Sequence, residues 1–157
     1  MHKSALTLLF WVSIIPKIAH AAEQDLHFRA ASALHARSAS IAELMTTYKP
    51  AIRAKGTEQR QADLALLWTI AETGSVCAIL SGNVIGAGGL MDSRSRSDFK
   101  ERINGSVDVC VHFIHEKVRF LGALAKVRND QSTVEFARDL DVQMRAVEKD
   151  LTDFEAN

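Results

Sequence analysis

Along nearly the whole chain, apolar residues recur at helical spacing, and nowhere do they alternate as a strand requires. The C-terminal segment shows this best. Ala137, Leu140, Met144, Val147, Leu151 and Phe154 step by three and four, drawing one apolar line down one side of a helix. Just upstream, Ser132 and Glu135 fit a capping box, in which a hydroxyl and a carboxylate each accept a free backbone N–H. A helix is predicted over 133–154.

A second line runs through Ile103, Val107, Cys110, Ile114, Val118, Leu121 and Ala125, with Phe113, Phe120 and Val127 beside it. A helix apolar over so much of its circumference touches more than one neighbour. Asn104, Gly105 and Ser106 are residues able to split it. Lys126 and Arg128 suit the negative end of its dipole, and Asn129-Asp130 makes a tight connection to the last helix.

Upstream, a helix over 24–49 carries Ala30, Leu34, Ile41, Leu44 and Tyr48 on one side, interrupted by His27 and Arg37. Those two mark either a polar feature inside the core or, the preferred reading, a seam that drifts to the core's edge. Pro50 is expected to end or kink this helix. Thr57 then caps a helix from 58 to 73 with Leu64, Leu67, Trp68 and Ala71 inward; it closes at Gly74 or runs on to Ser81.

The stretch from Gly82 to Gly89 holds four of the eight glycines, and Asp92 to Asp98 is polar with two arginines. Together they read as a long Gly/Ser-rich connection between helices 2 and 3. The predicted fold is all-α: an antiparallel four-helix bundle with that connection and one disulfide.

The 157 residues suffice for one domain, and 47% apolar with 24% charged residues is an ordinary globular composition. Nineteen basic against nineteen acidic residues leave no electrostatic footprint for nucleic acid. The N-terminus reads as an address. Lys3 precedes the apolar run Ala5 to Ile15, Pro16 breaks that run, and Ala19-His20-Ala21 presents the small residues a signal peptidase reads. A run of eleven is too short to span a membrane, which takes roughly 20 residues. The expected organisation is a signal peptide over 1–21 and a single helical domain over 22–157, periplasmic or secreted, with no stable membrane anchor. Cys77 and Cys110 both lie in the mature part, and an even count in an exported chain reads as a disulfide.

Few residues suggest chemistry. His112 and His115 share a helical face with Asp108 and form a weak candidate metal set. Their spacing is neither that of a zinc protease nor that of a di-iron bundle. The glycine run lacks the Lys-Ser/Thr of a phosphate loop, and no G-x-S-x-G elbow is present. Asp139 and Asp141 point different ways on a helix. No catalytic constellation and no cofactor are expected.

The favoured expectation is a small exported binding protein acting by protein–protein contact, as immunity proteins, inhibitors and envelope adaptors do. Its contact residues would be Val84, Ile85, Leu90, Met91, Arg94 and Arg96, apolar then basic groups in an irregular segment. The alternative is a metal- or small-ligand-binding bundle using His112 and His115. Either a monomer or a homodimer is compatible with the pattern.

Overall fold

The computed structural model describes the backbone of residues 5–156 and the side chains of residues 21–156. Four helices make up the described chain: α1 (Ala5–Arg53), α2 (Glu58–Leu90), α3 (Ser93–Val127) and α4 (Gln131–Glu155). The expected leader overlaps the start of α1. Residues 1–4, and the side chains as far as residue 20, lie outside the described residues, and the signal-peptide reading lies there with them.

Residue pairs fix how neighbouring helices run. On α1 and α2, His27 meets Ile85, His35 meets Asn83 and Ser38 meets Ser75, so one helix counts up as the other counts down. The same holds for α1 and α4, where Arg37 pairs with Asp150 and Tyr48 with Asp139. One core sits between all four helices. Leu34 and Ile41 reach it from α1, Leu64, Leu67 and Ile85 from α2, Val107, Ile114 and Leu121 from α3, and Phe136, Leu140, Met144 and Leu151 from α4. The two apolar lines read from the sequence of α3 and α4 are the lines that face it. Ala125 and Phe154, their terminal members, are only partly buried.

The Gly/Ser-rich connection is not present. α2 continues through the whole glycine run to Leu90, and only Met91 and Asp92 join it to α3, which begins at Ser93 without a break at Gly105. Glycine inside a helix costs roughly 1 kcal/mol against alanine, so something must offset it. Close approach does. A methyl group added at Gly89 would stand 3.0 Å from His27 Cβ, and one at Gly86 would stand 3.3 Å from Ala31 Cβ. At Gly82 it would meet the His35 ring and the Ala31 carbonyl. These glycines let α1 lie against α2, and the packing gained outweighs the propensity lost.

Helix ends follow local chemistry with two departures from expectation. Thr57 caps α2 as predicted, its side chain accepting from Arg60 N–H. α4 is capped by Asp130 rather than Ser132: the Asp130 carboxylate accepts both the Thr133 N–H and the Thr133 hydroxyl. Burial pushes the Asp130 carboxyl up, but these two hydrogen bonds and Arg60 outweigh it and hold the group below the ordinary carboxylate range. Pro50 does not end α1, which runs on to Arg53, with Ala54 N–H bonded to the Pro50 carbonyl. Proline forfeits one hydrogen bond, and a final turn has few left to lose.

Cys77 and Cys110 form the expected disulfide, joining α2 to α3 across 33 residues with Cα atoms 5.7 Å apart. Reducing it, or replacing Cys110 by Ser, should lower the unfolding free energy by about 2–5 kcal/mol in a denaturant titration. A second expectation comes from the glycines. Gly88→Ala should lower stability although alanine is the better helix former, because the added methyl would stand 2.7 Å from Ile103 Cδ1 and 3.0 Å from His27 Cε1. Thermal unfolding of the variant measures the sign directly.

Candidate functional site

The expected contact segment lies across the end of α2 and the start of α3, and the structure divides its residues. Ile85 is fully buried in the core, and Arg96 is 4% exposed. Val84 and Met91 are half-buried, and Arg94 and Leu90 are exposed, Leu90 to 77%. Ile85 is withdrawn as a contact residue because helical phase turns it inward.

Arg96 is not available as a contact residue because its guanidinium is buried and turned toward its own chain. The last carbonyls of a helix lack intrahelical partners, and Arg96 reaches back from the first turn of α3 to supply them. Its Nε donates to the Gly88 carbonyl and its Nη2 to the Met91 carbonyl, both at 2.8 Å. Nη1 forms an ion pair with Glu23 of α1 at 2.5 Å. One guanidinium thereby ties three helices together, in the planar, multi-donor role that suits Arg and not Lys.

Beside it, His27 is buried. Its Nδ1–H donates to the Ile85 carbonyl at 2.8 Å, and its ring stands edge-on to Phe154 with centroids 5.1 Å apart. His27 is therefore a polar feature inside the core, not a residue at its edge. Arg37 does lie at the edge, partly exposed and paired with Asp150 at 2.8 Å. Arg96 and His27 line a cavity of about 510 Å³ between α1, α3 and α4, with Leu26, Ile103 and Phe154 as its apolar wall and Lys100, Asp108 and Glu155 among its polar groups.

His112, His115 and Asp108 are not gathered to one point. His112 is exposed, His115 holds Glu148 of α4 at 2.9 Å, and Asp108 faces Glu155. Among the described residues no three His, Cys, Asp or Glu side chains stand close enough to hold a metal ion. A face shared along one helix did not become a ligand set: α4 gives His115 and Asp108 different partners, Glu148 and Glu155, and His112 is turned to solvent.

A surface that the sequence reading missed lies on the outside of α2 and α3. Val76, Ile79 and Leu80 of α2 are exposed, with Val76 at 52% and Leu80 at 55%. On α3, Val109 is 71% exposed, Phe120 is exposed and Phe113 is half-buried. The Cys77–Cys110 bond fixes the phase of both helices. At 100° per residue, Val76, Leu80 and Val109 fall on the side of that bond away from the core, and Phe113, which also packs against the core, borders that side. Between Thr73 and Met91, α2 carries no charged residue. That absence was legible in the sequence, where its first half was read as a possible end of helix 2 and its second half as an irregular connection. By length and composition α2 is also apolar enough to cross a membrane, with 39% of its most apolar stretch buried inside the protein.

Gly105 lies on the same side of α3. It is exposed, and a methyl group added there would meet nothing within 4 Å. Unlike the glycines of α2, it gains nothing from packing inside this chain, so its helix-propensity cost of roughly 1 kcal/mol has no offset there.

One electrostatic feature of the cavity is testable. Partial desolvation, then the hydrogen bond and charge of Asp108, push the Glu155 carboxyl above its ordinary range. A carboxyl raised in the folded state adds stability below its unfolded pKa and loses it as pH rises through the folded value. Asp108→Asn should therefore raise the melting temperature at neutral pH and change it little in mild acid. Melting curves across that range decide it, and an equal shift at every pH would contradict the pairing. The chain matches no family model, no curated protein and no solved structure.

Proposed function

We propose that this chain is a small exported helical binding protein, periplasmic or secreted, that works by protein–protein contact and not by catalysis. Immunity proteins, inhibitors and envelope adaptors are the class of role that fits. We propose its architecture as an antiparallel four-helix bundle, a rigid scaffold for a contact face. The disulfide supports an oxidising compartment, since such bonds persist mainly outside the cytosol.

The observation that carries the reading is the outer face of α2 and α3. Soluble monomers rarely leave a long, uncharged apolar surface open to water. Here Val76, Leu80 and Val109 are each more than half exposed on one face, beside a helix stretch without charge. The contact surface thus moves from the expected irregular connection to regular helix surface, keeping Leu90 and Val84 of the original set at its end.

A photoreactive residue at position 80, in protein exported by its own host, should give a specific covalent adduct. The same residue at Val142, an exposed apolar position on α4, is the control and should give none. Leu80→Asp should abolish contact while leaving helix content unchanged, because the side chain it replaces is exposed. Equal labelling at both positions, or none at position 80, would overturn the assignment of the face.

A further inference from the structure

We infer that the outer face of α2 and α3 is covered by a second copy of this chain, related by a twofold axis that crosses the face at the level of Leu80 and Val109. The inference rests on the reading of this face as a contact surface, and it names the partner. Cys77 stands against Cys110, and Gly88 against Ile103, so Leu80 and Val109 lie level to within about one helical rise of 1.5 Å.

The α3 stripe is arranged symmetrically about Val109. Arg102 lies seven residues before it and Glu116 seven after; Gly105 lies four before and Phe113 four after. A twofold axis through Val109, perpendicular to the helix, sets α3 against α3 of the second copy in the opposite direction. Arg102 then faces Glu116 of the second copy, and Phe113, at the border of the stripe, comes level with the bare backbone of Gly105. Both ends of the stripe are satisfied by one operation. Among the described residues Glu116 is paired loosely, with Arg119 at 3.7 Å, and Lys117 lies over the Phe113 ring at 5.5 Å.

On α2 the same operation places Leu80 on Leu80, and here the lack of charge matters. A twofold contact brings each group on the axis against its own copy, so a charge there would meet a like charge. The size is also adequate. The stretch from Leu66 to Leu90, which takes in one charge, Glu72, beyond the uncharged part, is about 36 Å long at 1.5 Å per residue. Two helices side by side, each about 9 Å wide, make it about 650 Å² in projection. That is close to the roughly 800 Å² of accessible surface that each partner gives to a stable interface.

The test uses the oxidised, processed chain in sedimentation equilibrium across the micromolar range. A dimer is expected. Arg102→Glu and Glu116→Arg should each weaken it by roughly tenfold or more, and the double exchange should restore it, because the pair is remade with its signs reversed. Leu80→Asp should give a folded monomer. A monomer at every concentration overturns the inference, as does a dimer that none of these changes affects. The photoreactive residue at position 80 separates the two readings. An adduct of twice the chain mass supports both. An adduct with a different protein alone leaves the face standing and overturns the second copy.

Discussion

Between His27 and Ala31 on α1 and Gly82, Gly86 and Gly89 on α2, two helices lie so close that one added methyl would push something aside. The architecture of that end of the protein follows from this approach. It lets the His27 ring lie beneath Gly88 and reach the Ile85 carbonyl. It carries α2 to Leu90, so the chain turns into α3 within two residues. And it brings the final carbonyls of α2 within reach of Arg96, whose third contact returns to Glu23 on α1.

The opposite end is held by different means. Asp63 on α2 is buried and takes two hydrogen bonds from Arg128, at 2.6 and 3.2 Å, where α3 ends. Arg60 reaches Asp130, which also caps α4. Charged groups in bidentate or networked geometry fix orientation better than isolated surface pairs do. Tyr48 adds a third tie, stacked on Phe136 at 4.6 Å and donating to Asp139 at 2.7 Å. Burial, that hydrogen bond and the neighbouring carboxylates push its phenol above the ordinary range, so it remains a donor at any physiological pH. With both ends fastened and a disulfide between them, the outer face of α2 and α3 is displayed on a stiff support. That stiffness lowers the ordering cost of a contact made there.

Much of this was legible residue by residue. The lines through Ile103 to Leu121 and Ala137 to Leu151 pointed at the core because a 3.6-residue repeat has only one way to bury them. Thr57 was readable as a cap, and the two cysteines as a bridge. The glycine run was not readable as helix. Its propensity argues for a loop, and the compensating surface, Ala31 and His27, lies more than fifty residues earlier in the chain. Arg96 looked like an exposed cation for the same reason: its partners are backbone carbonyls, which leave no trace in composition. The exposed apolar face was half legible, as a stretch of α2 without charge. Only the helix phase set by Cys77 and Cys110 shows that its apolar residues are exposed together with Val109.

The helical class, the inward faces of α3 and α4, and the covalent link between α2 and α3 can all be read from the chain without its neighbours. These follow from local periodicity and from a cysteine count with a single pairing, and neither needs knowledge of distant neighbours. Tertiary structure alone decided that the glycines continue a helix, that His27 is inside the core and Arg37 at its edge, that Arg96 is a clamp, and that His112, His115 and Asp108 face three different surroundings. Each of those outcomes turns on what another helix brings to the same point in space. A close approach, an orphaned carbonyl or a neighbouring carboxylate is supplied from far away in the chain, and no local propensity records it.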